Sequence, residues 1–465
     1  MRIKRVMIAA PKSGSGKTVI TCALLQALKN NGLQVTSYKC GPDYIDSMFH
    51  EKIIDIPCKN LDTFFTGEEE TRNIFINSAL KKDIAVLEGV MGLYDGVGGV
   101  MQEGSSYHLA NVTKTPIVLV IDAKGMGRSV ISLISGFLNY DKYHLIVGVI
   151  LNRISKEYYE IIKPLIEAEL NILVIGFLPE NTKYHIESRY LGLTMPDELN
   201  NIREKLWTLS EEFSKTVAIE SIIKIAGNAQ NLETGRKTTA TIHKTRHETN
   251  RAVIAVAKDE AFCFYYADNI RMLEENGAQI QYFSPIHDMK LPDRCHALLI
   301  GGGYPELYAD KLSKNVNMHT AIKNAVSSGM PIVAECGGFM YLHSALTDKD
   351  GISYNMAGVI PATCFYTGKL VRFGYIEMQE KQSYFLPKGQ KIRGHEFHYY
   401  DSTYNGEDVI AIKPFTGKKY SCIIENNNNW IGFPHLYYPS NAAFTEIFVG
   451  KAEKYKELCG TRIIK

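Results

Sequence analysis

The chain has 465 residues, with 52 Lys+Arg against 50 Asp+Glu (net charge +2) and 45% hydrophobic residues. That supports two or more domains with full cores, excludes disorder as the ground state, and gives no electrostatic bias toward nucleic acid or an anionic membrane. No apolar run reaches the roughly 18 residues of a spanning helix, and nine cysteines without a C-x-x-C pair point to a reducing cytoplasm rather than a disulfide framework.

Residues 5–10 read as a buried strand, 17–30 as a helix stopped by Asn31-Gly32, and 35–39 as a second strand. Further strands are predicted over 84–87, 117–121, 145–151 and 174–177, with helices over 71–81, 126–140 and 157–170. Apolar, non-alternating strands separated by helices imply an α/β fold with a parallel sheet covered on both faces. Ligands in such sheets bind beyond the carboxyl ends of the strands. The polar stretch 227–250 reads as a linker, or as an exposed helix and loop, between domains at 1–226 and 251–465. Alternation then resumes, with strands at 252–257, 297–300 and 331–334 and a helix at 269–276 closed by Gly277. Residues 373–433 are β-rich, and the four asparagines at 426–429 read as a hairpin tip.

The run P-K-S-G-S-G-K-T at 11–18 follows a strand and opens a helix. Gly14 and Gly16 let the backbone N–H groups of Lys12, Ser13, Ser15 and their neighbours turn toward an anion, where the helix dipole adds its positive end. Lys17 is placed to reach β- and γ-phosphates and Thr18 to bind Mg²⁺. Pro11 replaces the usual first glycine, and Lys12 matches the extra lysine of the deviant P-loop subclass. Carboxylates for the metal come from two strand ends: Asp43 and Asp46 in K-C-G-P-D-Y-I-D-S-M-F-H, and Glu88 and Asp95 in L-E-G-V-M-G-L-Y-D-G. Asn152, and the turn at Pro179-Glu180, are candidates for holding the adenine, with helix or turn capping as the other reading.

In P-I-V-A-E-C-G-G-F-M-Y-L, Cys336 follows a strand and precedes two glycines and a helix, the arrangement of a nucleophile elbow. The helix start is expected to lower the thiol pKa. The Gly337 N–H, with the Gly302-Gly303 turn of G-G-G-Y-P-E, forms a candidate oxyanion hole. His435 in F-P-H-L-Y-Y is the candidate base. His395 and His398 in G-H-E-F-H-Y lack the H-E-x-x-H spacing and surroundings of a zinc helix. An ATP site beside a thiolate amidase suggests glutamine as ammonia donor and a carboxylate as acceptor, activated as an acyl phosphate.

These motifs together resemble the cobyrinic acid a,c-diamide synthases over nearly the whole chain. The resemblance implies a dethiobiotin synthetase-like domain followed by a class I glutamine amidotransferase-like domain. It implies amidation of the a and c acetates of a corrin ring with Mg²⁺, ATP and glutamine. It assigns Cys336 as nucleophile with His435 raising its reactivity, Asp43, Glu88 and Asp95 to the nucleotide and metal site, and Tyr44, Ile45 and Asp46 to a loop handling substrate or phosphate. A cytoplasmic enzyme acting on small molecules follows, without nucleic acid or membrane partners, and a homodimer stays open. Two departures stand out: Leu436-Tyr437 follow His435 where common amidotransferases have Pro-Glu, and Tyr190 in R-Y-L-G-L replaces a family histidine. Nickel-sirohydrochlorin, hydrogenobyrinate and the cobyric acid synthase reaction remain as alternative substrates or steps. A deviant P-loop switch carrying an inert amidase module remains as a different class.

Overall fold

The computed structural model describes residues 1–180, 196–233 and 251–462. The chain divides into two compact units, Met1–Thr238 and Thr239–Lys465. Among the described residues, no helix is long and apolar enough to cross a membrane.

The first unit is built from strands β1 (Arg5–Ala9), β2 (Val35–Cys40), β3 (Cys58–Leu61), β4 (Ile84–Glu88), β5 (Ile117–Asp122), β6 (Ile146–Asn152) and β7 (Leu173–Leu178). All pair in parallel, in the order β3-β2-β4-β1-β5-β6-β7. Strands such as R-V-M-I-A and I-A-V-L-E are buried at every position, because helices cover both faces of a parallel sheet. Those helices are α1 (Lys17–Asn30), α2 (Tyr44–Lys52), α3 (Thr63–Ala79), α4 (Ser106–Val112), α5 (Ser129–Tyr140), α6 (Lys156–Leu170), α7 (Pro196–Thr216) and α8 (Ile219–Gly227). One core packs Met7, Tyr38, Leu87, Leu119 and Ile134, and the other Ile8, Leu24, Val86, Val120 and Phe213.

Two predicted stretches change. Helix α3 starts eight residues before the predicted Thr71, because Asp62 caps it by accepting from the Phe64 and Phe65 amides, and Gly67 (φ 72°) kinks the run without ending it. Tyr44, Ile45 and Asp46, placed in a loop by the resemblance, instead open α2. The chain past α8 does not leave the unit at once: Leu232 is buried, with its N–H donating to the Met1 carbonyl. The remainder of the stretch read as a linker, and the R-Y-L-G-L segment with Tyr190, lie outside the described residues.

The second unit carries a sheet ordered Gln279–Phe283, Val253–Ala257, Ala297–Ile300, Ile332–Glu335, Asn429–Gly432, Ile424–Glu425. Its first five strands are parallel, and the last forms an antiparallel hairpin. The asparagine run is the tip of that hairpin, with Asn426 Oδ1 accepting from the Asn428 and Asn429 amides. A second, antiparallel sheet holds Arg372–Glu380 and Lys391–His398, which in turn pairs with the short strand His435–Leu436. The two sheets thereby fix His435 and the end of Ile332–Glu335 in one unit.

Candidate functional sites

In the first unit the loop after β1 turns through Gly14 (φ 77°) and Gly16 (φ 94°), backbone that side chains resist. Lys17 is buried, its ammonium donating to the carbonyls of Lys12 (3.2 Å) and Met91 (2.6 Å). Burial and the nearby Lys39 pull its pKa down to about 8. Lys12 and Ser13 are exposed at the loop's rim, and the Ser15 hydroxyl donates to Lys12 O. Asn152, at the end of β6, braces this loop: its amide donates to Ser15 O at 2.9 Å and lies where a Cβ on Gly16 would stand. Asn152, named above as a candidate for holding the adenine, thus directs its side-chain NH₂ at the phosphate loop. Glu180 instead pairs with Lys124, and Arg153 with Asp122.

The strand ends bring four charged groups and a hydroxyl together. The Thr18 hydroxyl lies 2.7 Å from Glu88 Oε1 and 3.3 Å from Asp46 Oδ2. The Lys39 ammonium donates to Asp46 Oδ2 (2.6 Å), Glu88 Oε1 (2.8 Å) and Gly89 O (3.2 Å). His50 Nε2 faces Glu88 Oε2 at 3.2 Å. Burial works to raise the Glu88 carboxyl, but Lys39 and His50 outweigh it and hold Glu88 well below the usual carboxylate range. Asp46 goes the other way, pushed up to about 7 by burial against the pull of Lys39.

Asp46, not Asp43, joins Thr18 and Glu88. Asp43 caps α2, its Oδ1 accepting from the Ile45 and Asp46 amides at 2.9 and 3.1 Å, and its charge still acts on Lys39 and Asp46. Tyr44 and Ile45 form the first turn of α2, with Tyr44 buried. Asp95 closes its own loop by accepting from the Gly92 amide at 2.9 Å. Lys39 and His50 carried no role in the sequence reading. Their signal was a lysine at the carboxyl end of a buried strand and a histidine on the buried face of the next helix.

In the second unit Cys336 has φ 48° and ψ −102°, conformationally costly for a residue with a side chain. Its amide donates to Gly432 O and the Gly338 amide to Gly301 O. A Cβ on Gly338 would stand 2.0 Å from Ile300 O, and one on Gly337 2.9 Å from Pro305 Cδ and 3.1 Å from Gly303 N. Only glycines fit the elbow, and the backbone of Gly337 lies against the Gly303 amide. The His435 ring sits on the same turn, since a Cβ on Gly302 would meet its Cε1 at 2.3 Å. That ring stacks on His395 (centroids 4.9 Å, 15° between planes). His398 lies on the same strand, its Nδ1 donating to Tyr400 O and its ring stacked on Phe433.

The expected lowering of the thiol pKa is overturned. Burial pushes the Cys336 thiol well up, and Glu306, Glu335 and Glu396 add to it. The helix it heads, Gly337–Leu342, is only six residues long. His435 is pulled down to about 3 by burial, with His398 adding, so thiol and imidazole are both neutral near pH 7.

Residues 6–190 match the family described as the CobQ/CobB/MinD/ParA nucleotide binding domain, and 253–440 the CobB/CobQ-like glutamine amidotransferase domain. The first match supports ATP use. Curated cobyrinate a,c-diamide synthases are similar over nearly their full length. That of Caldanaerobacter subterraneus subsp. tengcongensis is 38% identical over 92% of this chain and 94% of its own. That of Thermoplasma volcanium is 38% identical over 98% and 99%, and that of Clostridium tetani 37% identical over 97% and 100%. A nucleotide-binding unit and an amidotransferase unit in one chain, matched end to end by these relatives, place the chain in the cobyrinate a,c-diamide synthase family of glutamine-dependent amidating ligases.

Proposed function

We propose that the chain amidates the a and c acetate carboxylates of cobyrinic acid in turn, using ATP and glutamine, in the cytoplasm. The nine free thiols are consistent with that compartment. The observation that carries the reading is the Cys336 elbow with the His435 imidazole seated on its Gly302-Gly303 turn. A nucleotide switch would have no use for it.

Glutamine enters with its amide carbon at Cys336. As sulfur attacks, His435 accepts the thiol proton, and the amide groups of Gly337 and Gly303 receive the negative oxygen. His435 returns the proton to the leaving ammonia, and water releases glutamate from the thioester. In the first unit a ring carboxylate attacks the γ-phosphorus of ATP, ADP leaves, and ammonia displaces phosphate from the acyl phosphate. Lys17 and the loop amides bind the phosphates while charge redistributes over them. The donors at the strand ends are hard oxygens, the type Mg²⁺ prefers, and they already enclose a cation in the form of Lys39. Thr18, Asp46 and Glu88 would hold Mg²⁺, which neutralises phosphate charge when bound. Lys39 pulls both carboxylates toward the ionised form against burial, and His50 faces the far oxygen of Glu88.

The test is glutamate release and ATP-dependent product formation with cobyrinate, hydrogenobyrinate and nickel-sirohydrochlorin, read by mass spectrometry. Two successive hydroxyl-to-amino changes on cobyrinate are expected, with Cys336→Ala abolishing glutamine use and retaining ammonia use. Turnover of nickel-sirohydrochlorin alone would reassign the substrate. Cys336→Ala without effect on glutamine hydrolysis would overturn the mechanism.

A further inference from the structure

A histidine that serves a thiol must present one ring nitrogen to sulfur and have the other held, or tautomer and ring orientation drift. The residue two positions after His435 is Tyr437, and its hydroxyl points at Asp268 Oδ2 (3.3 Å). The orienting group must come from elsewhere in the fold. We propose that Glu335, the residue immediately before the nucleophile, is the carboxylate that positions His435, a reading that rests on the Cys336–His435 amidase assigned above.

Glu335 ends the strand Ile332–Glu335, paired in parallel with Asn429–Gly432 so that Glu335 stands opposite Gly432, three residues before His435. This brings Glu335 Oε2 to 3.9 Å from His435 Nδ1, with the two side chains 6% and 4% exposed. Among the described residues His435 is the one basic side chain that Glu335 faces this closely. A carboxyl so deeply buried without Lys or Arg is costly unless it has work to do. The ring is constrained from other sides too, by the stack on His395 and by Gly302 at its Cε1 edge. Glu335 faces the Nδ1 edge of the ring.

A separation of 3.9 Å is long for a hydrogen bond, and such contacts commonly tighten once substrate is bound. Burial pushes the Glu335 carboxyl up to about 8, with the Leu436 amide and the Tyr438 hydroxyl drawing it back. Positive charge arriving on His435 favours the ionised carboxylate, and the carboxylate in turn favours the imidazolium, so the two titrate as a pair. Glu335 thus supports the charge His435 acquires without touching glutamine.

The experiment uses the full chain and follows glutamate release, with ammonia-supported amidation as the control for an intact fold. Glu335→Gln is expected to lower kcat for glutamine hydrolysis about 10²-fold, within the range of a disabled general base. KM for glutamine and the ammonia-supported rate should stay at parental values. Glu335→Asp, which keeps the charge, should recover part of the loss. A fall in kcat smaller than about tenfold, when general-base support contributes 10²-fold or more, overturns the proposal. So does a loss carried in KM, an equal loss in the Gln and Asp variants, or a parallel loss of ammonia-supported activity, which would mark Glu335 as structural. Cys336→Ser separates the two readings: retained glutamine hydrolysis there defeats the amidase assignment itself, whereas its loss beside an unaffected Glu335→Gln defeats only the role of Glu335.

Discussion

Adding one methyl group at Gly302 is expected to disable the amidase while sparing the rest of the enzyme. Gly302 does not need a left-handed backbone, so alanine imposes no strain of its own there. The cost is spatial. The new Cβ would stand 2.3 Å from His435 Cε1, and 3.2 and 3.4 Å from the two ring nitrogens, which means it meets the ring at the edge between them. Carbon atoms rest about 3.5 Å apart, so the ring must retreat by about 1.2 Å. It has little freedom to do so, with His395 stacked on its face and the His435 backbone paired to His395 across the sheet. A misplacement of about 1 Å costs about 10²-fold in rate, equivalent to about 2.7 kcal/mol of barrier. Overpacking should cost about 1–3 kcal/mol of stability besides. Steady-state glutamate release by Gly302→Ala should therefore fall about 10²-fold in kcat, with ammonia-supported amidation retained. Glutamate release at the parental rate from a folded Gly302→Ala variant would refute the placement of His435 as base.

Asp43→Asn keeps a good helix cap and should leave amidation near parental, whereas Asp46→Asn removes a carboxylate from the Thr18–Glu88 cluster and should depress ATP-dependent amidation with ammonia by about 10²-fold or more. The reverse order would restore Asp43 as the metal ligand. Lys39→Met leaves Asp46 and Glu88 buried without their cation and should destabilise the first unit by about 3–5 kcal/mol, read from its urea transition. His343 is buried, with Nδ1 at 2.7 Å from Phe339 O and Nε2 at 2.7 Å from Ser402 Oγ, and burial lowers its pKa to about 4. Its protonation thus favours the unfolded chain. The stability it contributes is whole above the unfolded value near 6.5 and is lost as pH falls toward 4, up to about 3 kcal/mol. Urea midpoints of the second unit measured from pH 7 to 4 should show that decline, and a flat profile would contradict it.

The eight residues at 11–18 announce a phosphate loop because a strand, two glycines and a helix start are all local properties. The cluster behind it is not local. Lys39 and Glu88 stand directly opposite each other on β2 and β4, strands with α2, β3 and α3 between them in sequence, so their pairing exists only once the parallel register is set. Within one loop, Asp43 and Asp46 look alike as carboxylates three residues apart. What separates them is that α2 begins between them, and the first is consumed by the cap while the second points back to α1. The Gly67 kink hid the start of α3 because a glycine at positive φ usually ends a helix, and here Asp62 and the packing of Phe64 and Phe65 carry it through. The elbow was legible in Cys336-Gly337-Gly338, yet the surroundings of its thiol were not, since they come first from burial and then from carboxyls of which Glu306 and Glu396 are remote in sequence.

Burial of the pair changes how the cysteine must work. A thiol held high by burial, beside a histidine held low by burial, rests as a neutral pair rather than as thiolate and imidazolium. Proton transfer from sulfur to His435 then creates two charges in a dry site, a step that water does not assist. It becomes favourable only as the new carbon–sulfur bond spreads the negative charge onto the glutamine oxygen at the Gly337 and Gly303 amides. Nucleophile activation and bond formation are therefore one event. A cysteine with a permanently low pKa would be open to any electrophile, whereas this arrangement reserves reactivity for a substrate that fills the oxyanion position.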